Sequence, residues 1–331
     1  MNFRFSGHET FACRYAWLPK AYEALCEDEH LFRDEDEAMM RLGVGKNMAR
    51  STRFWATTAG VAEMLPDRRG YRVTPFGHAL LSQHGFDPFL EDARTLWLLH
   101  WKLSSPIDEP LFAWYFLLNQ WPQPEISRSE AVRAFREEAQ KQDRELSDVT
   151  LEQHFDTFLH SYVPTRGAKG MILEDNLDCP LTELRLLLPA GERIVSESGR
   201  RETVYSFRRE EKPEISGALL AYCLADFWRL NRSQEATLSF PDVSVSHGSV
   251  GQIFKLPEIT LRERLLSLQD DSHGLMEFQE SSSTPRVVRH FEQHDADVEA
   301  RLMAGIYDLR REDYERAQPQ EARMEQLPVC A

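Results

Sequence analysis

The residues best placed to do chemistry lie in "LEDNLDCPLTEL", residues 173–184, which carries four carboxylates: Glu174, Asp175, Asp178 and Glu183. Clustered carboxylate oxygens are the hard ligands that Mg2+ or Mn2+ takes. A divalent ion held there would activate water against a phosphodiester. Asp175 and Asp178 are the candidate metal ligands, and Asp175, Asp178 and Glu183 the candidate catalytic carboxylates. The competing reading makes Asp178 the cap of a helix that starts near Pro180. His8 and Glu9 in "GHETF" form a second candidate acid/base or ligand pair. Glu9 equally fits a capping box with Ser6, each side chain satisfying a free amide at a helix start.

Other motifs carry less. His290 and His294 share a helix face but lack an evident third ligand for zinc. "GVGKN" has neither the spacing nor the Ser/Thr of a Walker loop. Nothing around Cys13 marks an activated thiolate. No convincing HNH arrangement is present.

The elements that must position these groups follow from periodicity. Residues 7–26 read as a helix, with Tyr15, Leu18, Tyr22 and Leu25 at helical intervals. The acidic stretch 34–37 suits a helix start, where the dipole favours carboxylates. Gly43 and Gly45 mark a tight turn between two helices. "YRVT" (71–74) reads as a short strand and another helix follows. Helix, turn, helix and then an arginine-bearing hairpin is the order of a winged helix-turn-helix.

On the second helix of that unit, an advance of about 100° per residue puts Lys46, Arg50, Arg53 and Thr57 on one face, with Met48, Thr52, Trp55 and Ala59 opposite. Between 41 and 72 stand seven basic residues and two acidic ones, a local balance of +5 within a chain of net charge -15. Arginine and lysine at helical spacing can follow a phosphate backbone, and Asn47 in the first turn could pair with an adenine edge. Lys46, Asn47, Arg50 and Arg53, with Arg68 and Arg69 of the hairpin, are therefore the candidate DNA contacts. The alternative is a solvated face neutralised by the acidic run 34–37.

The aromatics crowded between 90 and 121 are expected to fill a core rather than to stack bases. Residues 127–163 read as two helices and a possible second helix-turn-helix. "RIVSESGRRETVYSFRR" reads as a hairpin about Ser198-Gly199, and a helix is expected over 214–230. "SVGQIFKLPEITLRERLLSLQ" could be a third helical unit. No fixed-period repeat is visible. The expected fold is mainly α with small β-hairpins (α+β), with winged helix-turn-helix-like subdomains around an aromatic-rich helical core. Its expected divisions are 1–88 (DNA-binding), 89–212 (central helical, with the acidic loop and a hairpin) and 213–331 (helical, with a charged tail).

The whole-chain balance argues against indiscriminate nucleic-acid binding, while leaving room for a local basic face. Five dispersed cysteines without a CxxC pair fit a reducing compartment rather than a disulfide or zinc framework. No apolar run approaches the roughly 20 residues a bilayer demands. A cytoplasmic protein with no membrane association is expected.

Several stretches together resemble the bacterial domain-of-unknown-function family 4007: "FSGHETFACRYAWLPKAYEAL", "RLGVGKNMARSTRFW", "DPFLEDARTLWLLHW", "YVPT", "EDNLDCPLTEL" and "GSVGQIFKL". The resemblance runs from about residue 3 to 290. It implies a place in a DNA phosphorothioation system serving antiphage defence, beside a cysteine desulfurase, an ATPase and a PAPS-reductase-like protein. It further implies nicking of one DNA strand so that sulfur can replace a non-bridging oxygen. Lys46, Asn47, Arg50 and Arg53 inherit a DNA-contact expectation from the matching turn and helix, and Asp175, Asp178 and Glu183 match the family's acidic motif. Cys179 departs from the small residue the family tends to place there. The alternative is a non-catalytic DNA-binding adaptor or regulator that positions the sulfur-transfer machinery. A homodimer is a candidate assembly. A protein-interaction scaffold is a third class, and it would leave the basic face unexplained.

Overall fold

A computed structural model describes residues 2–164, 179–195, 199–280, 283–291 and 296–308. The chain is mixed α/β, mostly helical, with small antiparallel sheets.

The first helix, α1 (Trp17–Glu27), begins ten residues later than its periodicity suggests. Gly7, Glu9 and Thr10 have φ of 108°, 47° and 68°. Those left-handed values cannot be part of a right-handed helix. The Ser6–Glu9 capping box is therefore not formed, and "SGHET" is a tight turn. The remaining elements here follow expectation. Asp34 caps α2 (Glu35–Leu42) by accepting from the amides of Asp36 and Glu37. Gly43 ends α2 at φ 65°, a conformation cheap only for glycine, and Gly45 opens α3 (Lys46–Thr58). Strands β1 (Ala62–Met64) and β2 (Tyr71–Val73) pair antiparallel, and Thr74 caps α4 (Pro75–Leu81).

The centre is built by α5 (Ala93–Ser104) and α6 (Phe112–Asn119). Trp97, Trp101, Phe112 and Trp114 are almost fully buried, so these aromatics are core and offer no base-stacking surface. His100 lies among them with a complete set of partners. Its Nε2–H donates to the Ile253 carbonyl (3.1 Å), and its Nδ1 accepts from the Tyr162 hydroxyl (2.7 Å). That hydroxyl in turn accepts from Trp114 Nε1 (2.9 Å).

After α6 come β3 (Glu125–Ser127), α7 (Arg128–Lys141), α8 (Asp148–Tyr162), β4 (Leu187–Ile194) and β5 (Arg201–Phe207), whose sheet order is β3-β5-β4. The turn between β4 and β5 closes through Val195 and Gly199, the latter at φ 65°; Ser198 lies outside the described residues. The third part repeats the arrangement. A helix α9 (Gly217–Asn231) precedes β6 (Thr237–Ser239), then the short helices α10 (Phe240–Ser244), α11 (Val250–Phe254), α12 (Glu258–Leu266) and α13 (Leu268–Asp271). The hairpin β7 (Met276–Gln279) and β8 (Arg286–Arg289) closes a sheet of order β6-β8-β7. Helix α14 (Ala296–Ile306) packs on α9.

Helix, strand, helices and a hairpin whose second strand returns to the middle thus occur twice in full. They occur a third time in reduced form at the start. There the leading strand is a single hydrogen bond, in which the Tyr71 amide donates to the Glu29 carbonyl (2.8 Å).

The N-terminal segment is sewn far along the chain. Arg4 bonds through its backbone to Pro110 and Phe112 (both 3.0 Å). Phe5 stacks on Phe112 with ring centroids 4.5 Å apart. The Arg144 guanidinium donates to the Phe3 carbonyl (2.7 Å).

Candidate nucleic-acid interface

Helix α3 has the two faces its sequence predicts. Ser51, Thr52, Phe54, Trp55 and Ala56 are buried, and Met48 packs against the same cluster. Trp55 Nε1 donates to the Phe11 carbonyl and Ser51 Oγ to the His8 carbonyl, both at 3.0 Å. The turn holding His8 is thus the bed on which the helix lies. Gly7 is required in that bed, because a Cβ there would come within 2.8 Å of the Phe54 ring.

On the outer face, Lys46 and Asn47 are exposed and Arg50 and Arg53 half-buried. Two of these cations are already engaged. The Glu35 carboxylate on α2 accepts from Lys46 Nζ (2.6 Å) through one oxygen and from Arg50 Nε (2.6 Å) through the other. These two hydrogen bonds hold the Glu35 carboxyl below the usual range, Lys46 being the larger cause. All three side chains keep contact with solvent, with exposures of 54%, 37% and 41% for Lys46, Arg50 and Glu35. The ion pairs therefore sit on the surface and are not sealed inside. Arg41 pairs with Glu27, and Arg72 with Glu63.

Arg53, Arg68 and Arg69 form no ion pair among the described residues. The Arg53 guanidinium lies over the Tyr71 ring of β2, 5.9 Å from its centroid. Arg68 and Arg69 are exposed in the turn between β1 and β2, where Asp67 caps the Arg69 amide (2.8 Å). Helix and hairpin thus meet where Arg53 covers Tyr71, while Lys46 and Arg50 are paired with Glu35 of the acidic run 34–37, as the alternative reading has it.

Of the candidate catalytic residues, His8, Glu9 and Glu183 lie among the described residues, and His8 and Glu183 each have separate partners. His8 is buried and paired with His154 of α8, 3.1 Å from Nε2 to Nδ1. The Ala113 amide donates to His154 Nε2 (2.9 Å), which puts that ring's proton on Nδ1. Nδ1–H then donates to His8 Nε2, and His8 Nδ1–H to Thr157 Oγ1 (3.2 Å), whose hydroxyl donates to the Gln153 carbonyl (2.9 Å). The Thr10 amide also approaches His8 Nδ1 at 3.1 Å, but it could bond only in the tautomer that breaks the His154 link. Burial pushes His8 down to about 4 and His154 well below the usual histidine range. Both rings are neutral at neutral pH, and the pair is a latch between the "SGHET" turn and α8. Glu9 is partly exposed beside it.

Glu183 accepts a hydrogen bond from the Tyr15 hydroxyl, which burial and then this carboxylate push well above the usual range. Asp175 and Asp178, the candidate metal ligands, lie outside the described residues, as does His294. His290 pairs with Glu277 at 3.5 Å. Among the described residues no group of three His, Cys, Asp or Glu side chains is placed to hold a metal ion. Cys13 is buried with its thiol pushed well above the usual range, chiefly by desolvation, which leaves it inert as a nucleophile.

Two features escape the sequence reading. His154 carries no local mark of its partnership with His8, 146 positions away. Glu210-x-Lys212 has the spacing of a nuclease carboxylate and lysine. However, the Lys212 ammonium is fully buried and spends its protons on the carbonyls of Arg208 (2.7 Å), Glu210 (3.1 Å) and Lys255 (3.3 Å).

The element order and sheet topology define a mostly helical α/β protein with small antiparallel sheets. The chain belongs to the family described as "Protein of unknown function (DUF4007)", whose model matches residues 5–307 and so includes α14, beyond the stretch the sequence motifs mark. It is similar in fold to two crystal structures of SspB. The magnesium ion-bound form is 24% identical with a TM-score of 0.77, over 98% of this chain and 95% of that one. The other SspB structure is also 24% identical, with a TM-score of 0.78, over 98% and 96% of the two chains. No curated protein matches the chain. No described helix is long and apolar enough to cross a membrane.

Proposed function

We propose that this protein binds duplex DNA through α3 and the β1–β2 hairpin, as a component of a DNA phosphorothioation system, and that it nicks one strand. The observation that carries the DNA contact is the solvent-facing placement of Lys46, Asn47, Arg50, Arg53, Arg68 and Arg69 beside the buried apolar face of α3. The system assignment rests on the family resemblance, which also supplies the partners: a cysteine desulfurase, an ATPase and a PAPS-reductase-like protein. We read the three helix–hairpin units as winged helices, with α3 in the position that enters a major groove. The chemistry would be hydrolysis of a phosphodiester with Mg2+ or Mn2+ at Asp175 and Asp178. The magnesium recorded for SspB supports asking for this metal first.

One observation favours a second reading, that of a non-catalytic adaptor. Of the five candidate catalytic residues, His8 and Glu183 are held in internal hydrogen bonds. Supercoiled plasmid incubated with the protein, with Mg2+ or Mn2+, and with and without the three partner proteins separates the two. Conversion to open circle that disappears in Asp175→Ala/Asp178→Ala supports the nickase. Absence of relaxation in every mixture, with duplex binding retained, establishes the adaptor.

A further inference from the structure

We infer that Glu35 occupies the place of a DNA phosphate, holding Lys46 and Arg50 in the geometry that binds one and setting the affinity of the interface. This rests on the reading that α3 meets nucleic acid. The carboxylate offers two oxygens to two cations, Oε2 to Lys46 Nζ and Oε1 to Arg50 Nε, each at 2.6 Å. A phosphate bridging the same ammonium and guanidinium would make the same two charge-assisted bonds. Both cations belong to the first turns of α3. There the free amides of the helix start also favour an anion, and Gly45 at its N-cap makes no side-chain bond to them. Glu35 comes from the neighbouring helix α2, so it reaches the site without belonging to it.

The arrangement has two consequences. It fixes long, rotamer-rich side chains before any ligand arrives, which lowers the ordering cost of binding. It also sets a threshold, because only an anion that outcompetes a tethered carboxylate gains Lys46 and Arg50. A single phosphate meets a pair already half-neutralised there, whereas a duplex has already docked on Arg53, Arg68 and Arg69 and exchanges for Glu35 at high local concentration. Glu35 thus weakens binding to isolated phosphates and short oligonucleotides more than to a duplex that spans helix and hairpin.

The test measures binding of the full-length protein to a fluorescent 20-base-pair duplex and a 6-nucleotide single strand, across a salt series. The forms compared are wild type, Glu35→Gln, Lys46→Ala/Arg50→Ala, and the triple variant carrying all three changes. Glu35→Gln is expected to tighten duplex binding about fivefold to tenfold and the short strand by more. The gain should vanish in the triple variant, a coupling that general surface charge would not produce. Thermal melts confirm that each variant is folded, with Glu35→Ala as a second removal of the carboxylate. Unchanged or weaker duplex binding in Glu35→Gln, or a gain that persists without Lys46 and Arg50, overturns the inference and leaves the DNA-binding reading standing. Absence of duplex binding in all four forms overturns both.

Discussion

His8 Nε2 lies 3.1 Å from His154 Nδ1, and the two imidazoles stack with centroids 5.4 Å apart. Two neutral rings form that pair, whereas two charged ones would repel. Burial holds His8 at about 4 in the folded chain, His100 at about 4, and His154 well below the usual range. Unfolding returns all three to about 6.5. The unfolded state therefore binds more protons below that value, so this stabilisation is fully present above pH 6.5 and is lost as pH falls toward 4. At about 3 kcal/mol for each of His8 and His100, the effect is large against a typical domain stability. Urea midpoints are expected to fall steeply between pH 6 and 4.5, before most carboxylates protonate. A flat profile across that interval would refute the neutral latch.

Gly7 combines a φ of 108° with the nearby Phe54 ring, 2.8 Å from where a Cβ would stand. Gly7→Ala is expected to cost about 1–3 kcal/mol, from backbone strain and overpacking together. Differential scanning calorimetry reads this as a lower Tm. Gly45→Ala meets nothing within 4 Å and has ordinary extended backbone, so it serves as the control and should lower the Tm only by the smaller cost of alanine at a helix N-cap.

Within the candidate interface the free charges carry more than the paired ones. Arg53→Ala/Arg68→Ala/Arg69→Ala should weaken duplex binding at least tenfold. It should also flatten the slope of log K against log salt by up to roughly 0.9 for each phosphate that is no longer neutralised. Lys46→Ala/Arg50→Ala removes cations already shared with Glu35 and should cost less. Equal weakening in the two variants would mean that the hairpin has no privileged part in docking.

Asp226 is buried between Lys102 (3.6 Å), Arg229 (2.5 Å) and Trp101 Nε1 (2.8 Å). Desolvation alone would raise its carboxyl, but the Lys102 and Arg229 charges outweigh it and hold the carboxyl below its usual value. Asp226→Ala strands the Lys102 ammonium between the Phe76 and Tyr222 rings. The expected destabilisation is about 3 kcal/mol, measured by chemical denaturation. Asp226→Ala/Lys102→Met, which removes both charges, should recover much of it.

What was legible in the sequence tracks how local each cause is. The turn at Gly43–Gly45 and the two faces of α3 follow from residues within a few positions of one another, and they appear where expected, whereas Thr74, read as the end of a strand, caps the next helix. The start of α1 does not. Its apolar spacing extends back to Tyr15, but Glu9 and Thr10 have positive φ in the turn whose His8 carbonyl accepts from Ser51 of α3, a contact 43 positions away. The pairing of Lys46 and Arg50 with Glu35 depends on how α2 crosses α3, so residue types alone gave only the charge balance. The recurrence of one strand order in the second and third parts, reduced to a two-stranded hairpin in the first, left no sequence period, because the intervening helices differ in number and length.

The latch also has a consequence for synthesis. Vectorial translation delivers the cationic helix and its hairpin about a hundred residues before His154, and Arg4 waits similarly for Pro110 and Phe112. A nascent chain stalled between the hairpin and α8 would display the arginines on an unfastened scaffold, exposed to any polyanion nearby. Closure of the N-terminal turn is therefore a late, long-range event, and truncation before α8 should yield a sticky, protease-sensitive fragment in place of a smaller working protein.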